Sequence, residues 1–187
     1  MEEQDHSSVP AISRGRLEIL YDGIFAIAMT ILVLELRVPE LVDRHSVAEL
    51  ASALAHNGYT FGSYLLSFLM LGMFWYRHNL QYRHVRVVTA GMLALYLVQL
   101  AAAAFFPFCA ALFGRYPTNG LSVVVYAGCV MVYFWASLAT WVIARRSGAL
   151  VSDLTAADYR RSRNRLLRAC VIISILFAAY FTRMLVR

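Results

Sequence analysis

Long uncharged runs alternate with short polar, arginine-bearing stretches along the chain, and the alternation predicts helices on the scale of a lipid bilayer. Residues 57–76, 87–114 and 116–144 carry no charged side chain, giving runs of 20, 28 and 29 residues. About 20 helical residues cross a hydrocarbon core roughly 30 Å thick, so each run is long enough. Two other runs are shorter. Residues 23–34 number 12 and are bracketed by Asp22 and Glu35, while residues 169–182 number 14 and lie between Arg168 and Arg183, whose long side chains can snorkel. Extending the first to 17–36 gives spanning length but brings Glu18, Asp22 and Glu35 to the interface or into it. Carboxylates at that depth face a bundle interior or a water-filled cavity, because lipid cannot solvate them. The pattern predicts an all-α polytopic bundle, a single membrane domain over 1–187. Its five spans fall at about 17–36, 57–80, 87–113, 119–144 and 166–186. Residues 145–165 read as a polar linker with Ser152 and Asp153 offering helix caps, and 39–56 as an outer loop with one or two amphipathic turns.

Composition agrees with this class. The chain is 60% hydrophobic with a mean hydropathy of +0.61 and only 15% charged residues, against about 25% charged in soluble domains. All 17 basic residues are arginine. In a water-soluble protein that bias would suggest nucleic acid; here topology explains it, and no nucleic-acid partner is expected. With the N-terminus inside, 12 arginines fall on the cytoplasmic side and five outside (Arg37, Arg44, Arg115, Arg183 and Arg187), as the positive-inside rule requires. The expected setting is the cell membrane, crossed several times, with a cytoplasmic N-terminus. Residues 1–13, with Glu2, Glu3 and Asp5, lack the basic start and short apolar core of a signal peptide, so the first helix is expected to be retained.

Within the first helix, Ile27, Thr30, Ile31 and Leu34 stand at i, i+3, i+4 and i+7 and share one face. Spacing alone fits ordinary packing as well as a specialised surface.

The wording of this helix is distinctive. Arg16-x-x-x-Leu20-Tyr21-Asp22, followed by Gly-Ile-Phe-Ala-Ile-Ala-Met-Thr-Ile-Leu-Val-Leu-Glu-Leu, resembles the Arg-x-x-x-Phe-Ser-Asp first-helix signature of the bacterial and endolysosomal potassium channels that lack a P-loop filter. Ser67-Phe68, Gly72, Trp75 and His78 resemble that family's second-helix pattern, and Phe106-Pro107-Phe108 more weakly its third. The likeness covers about residues 16–110. Leu20 and Tyr21 replace the family's Phe and Ser, and Asn79 replaces a second His. The family has six helices per unit, where five are legible here, so a sixth, returning helix is expected beyond this chain.

The resemblance implies a symmetric assembly, tetrameric for one-unit bacterial chains, with helix one lining a central pore. Its constriction residues map onto Ile27, Thr30, Ile31 and Leu34, the face read above. Four copies of the apolar residues would stack as rings that gate by dewetting. Thr30 would add a hydroxyl layer that replaces part of a potassium ion's hydration shell. Hydroxyls should select less sharply than carbonyl rings, giving moderate, leak-like potassium conduction. Arg16, Tyr21, Asp22, Trp75 and His78 are implied as clamps near the cytoplasmic ends of helices one and two. Arg16 or His78 is expected to pair with Asp22, and proton sensing at His78 is a lesser role. The permeant ion and membrane lipid are the partners expected, and no resident cofactor is.

Other signals are weaker. Gly58-Tyr59 lacks the third glycine of a potassium filter, and the arginines of 160–168 do not recur every third position in an apolar helix; they read as a solvated loop with anionic-lipid contact. Gly58-x-x-x-Gly62 suggests a close helix contact. His45, His56, His78 and His84 lack metal-ligand spacing, Cys109, Cys129 and Cys170 read as small core residues, and no catalytic set is visible, so an enzyme is not expected. The alternative is a proton-coupled secondary transporter relaying protons through Glu18, Asp22 and Glu35; it predicts broken helices and inverted repeats, which the sequence does not show. A non-conducting scaffold is the third reading.

Overall fold

The computed structural model describes residues 13–185. The acidic segment with Glu2, Glu3 and Asp5, and Arg187 at the other end, lie outside the described residues. The described chain is helical throughout: α1 (Arg14–Ile31), prolonged by a 3-10 turn (Leu32–Glu35), α2 (Val47–His56), α3 (Gly58–Tyr82), α4 (Ala90–Arg115), α5 (Gly120–Arg146) and α6 (Ala156–Leu185).

Four elements are long and apolar enough to cross a membrane: α1 with its 3-10 turn, α4, α5 and α6. The remaining expected span, the second along the chain, is α3, with 25 residues, about 37 Å of helix. It is less apolar, because Gly58, Tyr59, Thr60, Gly62, Ser63 and Tyr64 dilute its start and Arg77, His78, Asn79 and Gln81 its end. The outer loop is more ordered than expected, since α2 is a ten-residue helix whose Ser46 hydroxyl accepts the Glu49 N–H at 3.2 Å.

The expected linker at 145–165 is half helix. The chain leaves α5 at Arg146 and re-enters helix at Ala156. The cap is neither Ser152 nor Asp153. Thr155 and Asp158 form a reciprocal pair instead, the Asp158 N–H donating to the Thr155 hydroxyl at 3.1 Å and that hydroxyl donating to the carboxylate at 2.7 Å. Three-residue spacing lets one side chain satisfy the first turn while the other reaches back. Ahead of the cap, Leu150 bridges to Val85, and the Arg86 N–H donates to Ala149 O at 2.8 Å, tying the α3–α4 turn to the α5–α6 loop.

Aromatic side chains fill the centre. Phe74 of α3 stacks on Tyr133 of α5 at 4.0 Å and meets Phe106 of α4 edge-on at 5.7 Å. Pro107 sits inside α4, where its missing N–H leaves one helical hydrogen bond unmade. Gly58 and Gly62 make no close helix contact within the chain: nothing lies within 4 Å of a Cβ built on either. The close approach is at Gly114 of α4, where an added Cβ would come within 3.2 Å of the Thr60 backbone and 3.1 Å of Ser63 Cβ. Ser63 donates to Ala110 O at 2.6 Å across the same contact.

Candidate functional site

α1 meets the bundle through one face. Leu17, Tyr21, Phe25, Ala28 and Leu32 are buried, spaced i, i+4, i+8, i+11 and i+15 as a helix requires to present a single stripe. The face carrying Ile27, Thr30, Ile31 and Leu34 turns away from the other helices. Ile27 is 60% exposed and Leu34 73%, and Ile31 and Thr30 are exposed as well. Lipid alone could cover the three apolar residues. It cannot solvate Asp22 and Glu35, exposed at the two ends of the apolar run 23–34.

Thr30 sits in the middle of this face with its hydroxyl hydrogen committed. Oγ1 donates to the backbone oxygens of Ile27 at 2.8 Å and Ala26 at 3.0 Å. A hydroxyl donates only one hydrogen, so what it offers outward is lone pairs, the polarity that suits a cation.

The anchoring residues fall into two groups. Tyr21 is fully buried: its ring stacks on His78 with centroids 3.3 Å apart, its hydroxyl donates to Gln99 Oε1 at 3.0 Å, and it lies 3.1 Å from the Tyr133 hydroxyl. Tyr133 donates in turn to Phe74 O at 2.9 Å, and Gln99 Nε2 donates to Thr140 at 3.0 Å. One tyrosine thus links α1 to α3, α4 and α5. The second group is at the helix surface, where the Trp75 indole N–H donates to Asp22 Oδ1 at 2.8 Å. This corrects the expected pairing. Arg16 is exposed and bonds neither Asp22 nor His78. His78 stacks against Tyr21 and leaves its buried Nε2 without a partner among the described residues. The reason is reach: a stacked imidazole is turned along the bundle, while the longer indole extends to the carboxylate.

The replacements at the motif make sense here. Leu20 is exposed and costs nothing in the core, whereas Tyr21 supplies a ring and a hydroxyl that a serine could not extend to α4 and α5. Asn79 donates within its own helix to Trp75 O at 3.1 Å. Sequence reasoning missed Gln99, Tyr133 and Thr140. Gln99 had a signal, as the only side-chain amide in the uncharged run 87–114; an amide at that depth needs partners.

Known proteins share the sequence of these helices and the fold that carries them. Residues 16–107 match the family model described as endosomal/lysosomal potassium channel TMEM175. A protein named as a potassium channel from Streptomyces collinus is 29% identical over 152 residues, 79% of this chain and 72% of that protein. The human endosomal/lysosomal proton channel TMEM175 is 30% identical over 143 residues, but only 28% of its length is covered. The crystal structure of a lysosomal potassium-selective channel TMEM175 homologue from Chamaesiphon minutus superposes with a TM-score of 0.66 at 25% identity, over 93% of this chain and 99% of that one. The motif-bearing helices, the fold and these relatives agree: over residues 16–107 the chain is similar to the TMEM175 channels, and it shares their fold.

Proposed function

We propose that this chain is a multi-pass membrane protein, active as a homotetramer, in which four α1 helices enclose a potassium-conducting pore. The observation that carries this reading is the α1 face: apolar at Ile27, Ile31 and Leu34, hydroxylic at Thr30, bracketed by acids and left uncovered by the chain's own helices. One such helix cannot enclose a channel, so rotational symmetry must complete it. Around the axis, the apolar residues form dewetting rings and the Thr30 oxygens a layer of acceptors. Potassium sheds water more readily than sodium, and a single hydroxyl layer selects moderately, so the conductance is a leak with a potassium preference. α3 crosses as the second span along the chain with its polar end at the cytoplasmic surface. The N-terminus and the α5–α6 loop then share that side, in keeping with the arginine bias.

The test is a recording from purified protein in planar bilayers under a potassium gradient. Current reversing close to the potassium equilibrium potential supports the reading. Reversal at the proton potential, or transport fixed in ratio to protons, would transfer the function to the proton-coupled alternative. Absence of current from monodisperse tetramers would leave a scaffold.

A further inference from the structure

At the end of the bundle that the arginine bias assigns to the cytoplasm, α3, α5 and α6 part to leave a cavity of 610 Å³. Four arginines line it: Arg77 from α3, Arg83 from the turn that follows, and Arg161 and Arg165 from successive turns of α6. Two carboxylates share the space, and one of them, Asp158, is held by the Thr155 cap. Among the described residues none of these guanidiniums forms an ion pair. Four guanidiniums against two carboxylates leave an excess of like charge, which is costly, and an anion relieves that cost.

A second observation points the same way. Gln81 also lines the cavity; its Oε1 accepts from Ser137 at 2.9 Å, while its buried Nε2 has no acceptor among the described residues. The site therefore offers four five-donor guanidinium forks and an unpaired amide donor, more donors than the oxygens of Asp153 and Asp158 can satisfy, and calls for further acceptor oxygens. Phosphate supplies those, and arginine pairs with it in bidentate fashion. The volume exceeds a bare phosphate and lies in the range of ligand pockets.

The cavity is also apolar on one side, walled by Met73, Leu80 and Trp141. From that wall an exposed apolar stripe runs up α3 through Leu69 to Leu65, at helical spacing along what would be the bilayer. A polar head among arginines continuous with an apolar track is the outline of a phospholipid, not of a soluble anion. We propose that this cavity binds the phosphate-bearing headgroup of an anionic phospholipid, with an acyl chain lying along the α3 stripe. Basic pockets between spans on the cytoplasmic side suit such headgroups. The inference rests on the membrane orientation of the proposed function. It does not depend on conduction.

Native mass spectrometry of the purified full chain, with dioleoyl phosphatidylglycerol or phosphatidylcholine added, tests it without recording current. Phosphatidylglycerol should remain bound and phosphatidylcholine should not. Removing two site arginines in Arg161→Gln/Arg165→Gln should weaken retention about 30-fold, and Arg83→Gln alone about fivefold. The exposed pair outside the cavity, Arg146→Gln/Arg168→Gln, should leave it unchanged. If the first double variant is polydisperse, Arg83→Gln decides. Equal retention of phosphatidylcholine, or equal loss in the control pair, overturns the site. Inorganic phosphate that raises the melting temperature as much as the lipid, through the same arginines, overturns the lipid and assigns the cavity to a soluble anion.

Discussion

At the scale of single residues, function and stability separate on opposite faces of α1. If Ile27, Ile31 and Leu34 form the constriction, Ile27→Ala widens the narrowest ring, so conductance should rise and the potassium-to-sodium preference fall. Thr30→Val keeps the shape and removes the oxygen, so selectivity should drop with little change in conductance. Val33→Ala, roughly a third of a turn from the centre of that face, should alter neither. Planar-bilayer recordings of monodisperse protein check all three; unchanged selectivity in both Ile27→Ala and Thr30→Val would sink the assignment of this face. The buried face answers to a different measurement. Tyr21→Phe keeps the stack on His78 and removes the hydroxyl that satisfies Gln99 Oε1. Leaving a buried acceptor unpaired costs about 1–3 kcal/mol, visible as a lower melting temperature in detergent. Tyr21→Phe/Gln99→Leu should recover part of that loss, since removing both partners removes the unpaired group.

Between elements, packing of α3 against α4 depends on one absent side chain. A Cβ at Gly114 would press on the Thr60 backbone, which cannot rotate aside. Gly114→Ala should therefore destabilise by about 1–3 kcal/mol, the range for overpacking, and Gly62→Ala, which meets nothing within 4 Å, should be close to neutral. Thermal unfolding of the two variants side by side makes the comparison; equal effects would show that Gly62 is covered in the assembly. The order of helix packing follows the same logic. α6 buries only Tyr159, Leu166 and Cys170, while α4 and α5 bury residues on several sides. The uncovered faces of α1 and α6 thus lie at the periphery of one chain, where a neighbour or lipid must complete them.

For the whole molecule, symmetry and orientation are the testable properties. Native mass spectrometry in mild detergent should show tetramers, and monomers alone would count against the pore. Orientation can be read by labelling. The three native cysteines are buried, so a Ser152→Cys reporter in the exposed α5–α6 loop should resist membrane-impermeant thiol reagents in intact cells and react once the cells are opened. Ready labelling from outside would invert the topology.

The hydrophobic pattern by itself determined the class and most helix positions, because a bilayer demands about 20 apolar residues per crossing and punishes any stray charge. It also singled out the α1 face, since helical periodicity depends only on local geometry. It misplaced the start of α6, because a polar helix outside the membrane carries no hydropathy signal and is marked only by the short Thr155–Asp158 cap. Pairings across helices were beyond its reach. Whether Asp22 meets Arg16, His78 or Trp75, whether Gly62 or Gly114 makes the close contact, and that Tyr21 reaches Gln99 and Tyr133 were decided by how the helices rotate and lean against one another. Those rotations are settled by side-chain fit summed over the bundle, which no single segment of sequence contains.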